Sequence, residues 1–169
     1  MKVISMQRNS KNCLICGLDN ALGLKAPFYN LEDGSVASIF TFKTEHQSYP
    51  DRTHGGMSGA LIDELMGRAL WATNPEMFGV TTSLNVTYRK AVPLNTQLKA
   101  RGYITFESRL GFTSKGQIYS MDNTLLIEAT AKYFKMPFDK AFKDPSSLHD
   151  EMPYVLPIDV TEIDFPEKI

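Results

Sequence analysis

Residues 54–72, HGGMSGALIDELMGRALWA, constrain the fold more than any other stretch of the chain. Apolar residues at Met57, Leu61, Leu65 and Ala72, with Ile62, Met66 and Ala69 beside them, recur at helical spacing. At about 100° per residue they cover roughly half of the circumference, more than a surface helix needs. The helix is therefore expected to be buried on most sides, with a sheet wrapped around it. Asn74 and Pro75 stop it.

Strand-like segments flank this helix. Residues 36–43 alternate apolar and polar, and residues 25–30 form a shorter candidate, with Glu32-Asp33-Gly34 as the turn between them. Residues 44–53 then lead into the helix as a loop. After the helix, residues 81–92, 96–107, 111–121 and 125–136 read as strands, with Asp122-Asn123 as the clearest hairpin signal. Strands, one long helix and then a strand meander is an α+β order, not an alternation of βα units. The expected fold is a curved antiparallel sheet around one long central helix.

A chain of 169 residues, 43% of them hydrophobic, fits one packed domain with a tail. The expected division is a lead-in at 1–24, a body at 25–136 and a Pro-rich, acidic tail at 137–169. Residues 1–12 read as flexible. The tail, punctuated by Pro137, Pro145, Pro153, Pro157 and Pro166, reads as mobile. Its apolar residues Phe138, Phe142, Tyr154, Val155, Leu156 and Ile158 are nonetheless enough to dock on the body or on a partner subunit.

Several function classes drop out. A net charge of −1 gives no nucleic-acid surface, and no apolar run reaches the roughly 20 residues that a membrane span needs. Met1 to Arg8 is too short and polar for a secretory signal, so a cytoplasmic protein is expected. There is no phosphate-binding glycine loop, no nucleophile elbow and no Cys–His pair placed for covalent catalysis. Cys13-x-x-Cys16 invites a zinc or redox reading. Zinc would need four ligands, no second cysteine pair exists, and His46, His54 and His149 are isolated from this one. No strand pattern precedes the pair. The expectation is two small apolar side chains packing an N-terminal turn, with no metal and no cofactor.

The arc of the helix left over by the apolar face carries the chemistry. Glu64 and Arg68 stand four apart, acid first, as an ordinary solvated ion pair worth about 0.3–0.5 kcal/mol. Asp63 has no such partner: its helical neighbours are Gly59, Ala60, Met66 and Gly67. A carboxylate with small neighbours at an apolar border suits a working acid or base; the alternative is an Asp paired to a distant cation or amide. Gly55 and Gly56 put unobstructed N–H groups at the helix N-terminus, where an oxyanion could be held. His54 heads the helix, either to orient a substrate or to cap and pack. Asp63 stands about 12 Å along the axis from Gly55 by helical rise. One small reacting group thus needs the glycines of one chain and the Asp63 of another.

His54-Gly55-Gly56, six residues and then Asp63, resembles the motif of the PaaI-like branch of the hotdog-fold thioesterases. Gly79 to Tyr88 is similar to the strand that follows the central helix there. Cys13-Leu14-Ile15-Cys16-Gly17, with Asn20 and Gly23-Leu24, resembles the N-terminus of some members. The resemblance spans residues 13–136. It implies hydrolysis of an acyl-CoA thioester in a homodimer or homotetramer with shared active sites. The carbonyl would lie on the amides of Gly55 and Gly56, with Asp63 as base or nucleophile. It also implies that Thr81 helps to hold the attacking water. Arg89, Lys90, Lys99 and Arg101 would either meet the phosphates of coenzyme A or be plain solvated strand residues. One departure stands out: the loop before His54 reads His46-Gln47-Ser48-Tyr49-Pro50, without the expected Asn or Gly, so Gln47 or Ser48 would take over the water-holding role. Two other classes remain open, a non-catalytic acyl-CoA-binding hotdog module and a hotdog hydratase or dehydratase built on His46 and a helix acid.

Overall fold

The computed structural model describes residues 1–141, 144 and 150–168. The long helix forms where the apolar periodicity predicts it, as α1 (Gly55–Arg68), and tightens into a 3-10 turn over Ala69–Ala72. Leu61, Ile62, Leu65, Met66 and Leu70 are all fully buried. Each such side chain contributes about 1.5–3 kcal/mol by leaving water, which outweighs the weak helix propensity of a segment with four glycines.

Among the described residues the sheet supplying that burial has seven strands, all neighbours antiparallel: β1 (Val3–Met6), β2 (Tyr29–Leu31), β3 (Val36–Thr41), β4 (Met77–Tyr88), β5 (Gln97–Glu107), β6 (Gly111–Ser120) and β7 (Leu125–Pro137). Their order across the sheet is β1-β2-β3-β5-β6-β7-β4. A short helix, α2 (Phe138–Ala141), follows β7. This is the hotdog arrangement, α+β as the order of elements predicts. The helix seats closely because Gly116 of β6 has no side chain: a Cβ there would stand 2.8 Å from both Ile62 Cγ1 and Met66 Cγ.

Two expectations are corrected at the ends of the chain. Residues 1–12 are not a loose leader; β1 pairs with β2, and Gln7 and Asn9 are buried. The described part of the tail also docks. Asn9 N–H donates to the Tyr154 carbonyl at 2.9 Å, and Ile163 is buried with Val3, Tyr29, Leu31 and Ala37 in a second small core. Val155 and Ile158 remain exposed. Phe142, Pro145 and His149 lie outside the described residues.

The tail also removes two candidates from the phosphate-binding set. Lys99 and Arg101 are 2% exposed, covered by residues 164–166. Arg101 pairs with Asp33 and donates Nη1 to the Pro166 carbonyl at 3.3 Å. Among the described residues, no helix is long and apolar enough to cross a membrane.

β4 ends the sheet. Among the described residues it pairs with β7 on one side only, yet carries Val80, Leu84 and Tyr88 in exposed positions. A long edge strand with exposed apolar residues is a surface prepared for pairing.

Candidate active site

Asp63 projects from the middle of α1 toward β4 and β7. Thr81 Oγ1 donates to its carboxylate, at 3.0 Å from Oδ1 and 3.1 Å from Oδ2. The Tyr133 hydroxyl stands 2.9 Å from both Asp63 Oδ1 and the Asp63 backbone carbonyl. No salt bridge joins Asp63 to a lysine or arginine among the described residues, so the carboxylate is held by neutral hydroxyls alone. Burial, reinforced by the Asp63 charge and the hydrogen bond to it, pushes the Tyr133 phenol well above its ordinary range. Tyr133 therefore stays a proton donor, and its ring is fixed by stacking on Phe112 at 4.7 Å.

Sequence reading missed Tyr133, which comes from a strand seventy residues away. Thr81 was expected near the reacting water and stands against the carboxylate. It does so beside a bulge: Thr81 pairs with Tyr133 but Ser83 pairs with Lys132, leaving Thr82 out of the ladder.

These groups face a cavity of about 400 Å³ lined by Asp63, Gly67, Gly79, Thr81 and Tyr133, with Trp71 and Phe78 as an aromatic wall. Gly67 keeps room for the Tyr133 ring, since a Cβ there would lie 3.4 Å from it. Glu64 and Arg68 also reach this cavity, and here an expectation fails. Their ion pair is not solvated: Arg68 is 4% exposed and its Nε donates to Glu64 Oε1 at 2.9 Å. Residues 7–16 cover it, because Arg68 also donates to the Arg8 carbonyl at 3.0 Å and sits over the Phe28 ring at 4.3 Å. Nor are the cysteines simply packed, for Cys13 Sγ donates to Glu64 Oε2 at 3.1 Å.

The helix N-terminus opens on a different cleft, of about 570 Å³, lined by Tyr49, Arg52, Gly55, Ser58, Tyr88, Arg89 and Lys90. His54 is the N-cap, and its Nδ1 accepts the Gly56 N–H at 2.9 Å. That bond leaves Gly55 as the amide without an acceptor among the described residues. The Gly55 carbonyl accepts from Tyr88 at 2.7 Å. Ser58 is a second group that sequence reading passed over: its hydroxyl is buried without a partner among the described residues, and the residue lines this cleft. Arg89 pairs with the exposed Glu128. Gln47 bridges to Thr53 and Ser48 N–H donates to the Arg52 carbonyl, and neither lines the cleft, although their neighbour Tyr49 does.

In one chain, then, the structure joins Asp63 with Thr81, and Gly55 with Arg89 and Lys90, but keeps the two groups in separate clefts. His46 is buried away from both. Its Nδ1 accepts the Lys43 N–H at 3.0 Å and its Nε2 meets the Leu22 carbonyl at 3.1 Å, so neither nitrogen is left for a base.

The model of the thioesterase superfamily matches residues 52–127, which run from the loop before α1 into β7. Over that stretch the chain resembles the thioesterase superfamily. Acyl-coenzyme A thioesterase THEM4 of Mus musculus is 33% identical over 130 residues, covering 72% of this chain and 53% of the mouse protein. The Rattus norvegicus THEM4 is 30% identical over 130 residues, at 73% and 53% coverage. The chain thus spans about half the length of the curated relatives it matches. Among solved structures, a thioesterase superfamily protein is 27% identical with a TM-score of 0.67, covering 72% of this chain and 59% of that one. A Streptococcus pneumoniae thioesterase protein crystallised with coenzyme A has a TM-score of 0.61 at 21% identity, covering 66% of this chain and 86% of that one. This second likeness, at 21% identity, shows the fold alone.

Proposed function

We propose that the chain is an acyl-CoA thioesterase, hydrolysing the thioester to a free acid and coenzyme A. The observation that carries this reading is the Asp63 carboxylate, unpaired by any cation among the described residues and held by Thr81 and Tyr133 at an aromatic-walled cavity. In the proposed reaction Asp63 takes a proton from water as the water oxygen adds to the thioester carbonyl, or adds directly itself. The Gly55 N–H of the facing subunit carries the oxyanion, with Gly56 serving His54 instead. Collapse breaks the C–S bond, and the coenzyme A thiolate takes up a proton. Trp71 and Phe78 would receive the acyl chain, while Lys90 and Arg89 beside the Gly55 cleft would meet the phosphates, Arg89 by exchanging Glu128 for them. Ser48 and Gln47 keep only a supporting role in this proposal, through the loop that presents Tyr49 and Arg52. The names of the THEM4 relatives and the coenzyme A in the Streptococcus structure support the same substrate class.

The decisive experiment is a panel of acyl-CoA thioesters with a free-thiol readout. Turnover of at least one acyl chain above the no-enzyme rate is the expected result. Tight binding of the panel with no thiol release would instead make the chain a non-catalytic acyl-CoA module. The hydratase reading has lost its base, since His46 is occupied on both nitrogens. Tyr133→Phe is expected to lower kcat about tenfold, the equivalent of ~1.4 kcal/mol of barrier, with KM little changed. Equal kcat for variant and parent would remove Tyr133 from the site.

Assembly belongs to the same proposal, because two separate half-sites require a second copy. We place β4 against β4 of a partner, hiding Leu84 and the open ladder edge, with a tetramer as a further step. Light scattering at micromolar concentration is expected to give at least twice the 19.0 kDa chain mass, and Leu84→Asp is expected to move that mass toward one chain. A parent that scatters as a single chain refutes the shared site. A cytoplasmic setting fits the two cysteines, which are free thiols. The division into lead-in, body and tail at 24 and 136 is likewise proposed, with lead-in and tail both laid against the body.

A further inference from the structure

The turn at Cys13-Leu14-Ile15-Cys16-Gly17 is built to bring two sulfurs together. Gly17 N–H donates to the Cys13 carbonyl at 2.9 Å, and a Cβ at position 17 would lie 2.3 Å from that oxygen. Only glycine lets the chain fold back so tightly. The result is that both Sγ atoms and a carboxylate oxygen of Glu64 lie within 4.8 Å of one another. Neither sulfur is idle. Cys16 Sγ takes a hydrogen bond from Arg68 Nη2 at 3.1 Å and lies 3.3 Å from Ser10 Oγ. Cys13 Sγ receives the N–H of Ile15 at 3.3 Å and of Cys16 at 3.4 Å while donating to Glu64. Both cysteines border the cavity, so a small molecule entering it can reach them.

We propose that Cys13 and Cys16 form a redox-active dithiol that a small hydroperoxide oxidises to an intramolecular disulfide. Cys16 is the attacking sulfur. A guanidinium and a hydroxyl surround it, which is the setting that stabilises a thiolate. The neighbouring Cys13 sulfur, helped by the Arg68 guanidinium, draws its thiol down to about 7 against burial and the Glu64 charge. Cys13 is driven the other way, by the adjacent Cys16 sulfur, by burial and by the Glu64 carboxylate that takes its hydrogen bond, and so keeps its proton until the second step. Because Cys16 is only 2% exposed, the oxidant must be as small as a hydroperoxide. The Cys16 thiolate attacks one peroxide oxygen, the O–O bond breaks, and an alcohol or water leaves with a proton, giving a sulfenic acid. Cys13 sulfur then attacks that sulfur; the S–S bond forms, the S–O bond breaks, and hydroxide leaves as water with the Cys13 proton. Two electrons pass from the sulfurs to the peroxide. The same cluster invites a divalent cation, but the Arg68 guanidinium already supplies positive charge to both Cys16 and Glu64 and would face the ion.

The test uses the full chain and hydrogen peroxide as the probe, and it does not depend on thioester turnover. Tryptic cleavage after Lys11 and Lys25 releases residues 12–25, which hold both of the chain's cysteines and no methionine. After sub-millimolar peroxide that peptide is expected to be lighter by two hydrogens, and to regain them with a dithiol reductant. In Cys13→Ser, the same treatment is expected to leave a dimedone-trappable sulfenic acid on Cys16. Unchanged peptide mass in the native protein overturns the proposal. So does direct passage to sulfinic acid without a disulfide. One metal ion per chain in the untreated protein, lost in Cys13→Ser with Cys16→Ser, would assign the cluster to a metal instead.

Discussion

Asp63→Asn is expected to abolish most turnover while leaving the fold nearly untouched. The amide keeps the size of the carboxylate and can still accept from Thr81 and Tyr133, the two groups that hold it. What it loses is the negative charge and the capacity to take a proton, and removing a general base costs on the order of 10²–10⁴ in rate. The neighbouring acid is the control. Glu64 points about 100° away around the helix and serves Arg68 and Cys13. Glu64→Gln is expected to keep turnover within a few-fold but to lose about 1–3 kcal/mol of stability, as for a weakened charged hydrogen bond. kcat/KM on the best acyl-CoA substrate, with thermal melts on the same samples, separates the two. A dead Glu64→Gln beside an active Asp63→Asn would reverse the assignment of the two acids. Two fully active variants would end carboxylate catalysis from this helix.

The largest loss of stability is expected from Arg68→Met. Arg68 is buried and its guanidinium serves Glu64, Gln7, the Arg8 carbonyl and Cys16 together, between the Phe28 and Trp71 rings. Methionine fills part of the space but leaves Glu64, 21% exposed, without its cation. Removing one partner of a buried pair costs about 3–5 kcal/mol. For a chain of this length that lowers the melting temperature by roughly 6–20 °C. A fall of less than about 2 °C would mean that the lead-in strand holds without it, since that is under 1 kcal/mol by the same conversion.

Arg68 also shows where the sequence stopped being informative. Its partner Glu64 was visible one turn away, but its burial was not, because the covering residues 7–16 and 28 come from a region with little periodicity. β1 is four residues long and carries no alternating pattern, so residues 1–12 read as a loose leader. The central helix was legible because Leu61, Leu65 and their neighbours repeat a single spacing. Asp63 stood out by what its neighbours lack. Tyr133 could not be found in this way: it is one aromatic residue in a strand of alternating residues, and only the register of β7 against β4 brings it to the carboxylate. The glycine pair was legible as a place where amides are exposed, while the use of one of them by His54 depended on a rotamer that spacing does not encode.

That register has a counting consequence. Residues paired across two strands share a face of the sheet. Thr81 is opposite Tyr133, yet Leu84 is opposite Ala131 and Tyr88 opposite Ile127, so odd positions before Thr82 and even positions after it point the same way. The strand contains a dislocation: two half-strands of opposite parity, joined at one surplus residue. Each half keeps its own alternation, and the seam lies beside Asp63. An insertion or deletion elsewhere in β4 would have to break one half's alignment, whereas losing Thr82 would simply heal the seam, leaving every side chain on its present face and removing only the local kink that aims Thr81.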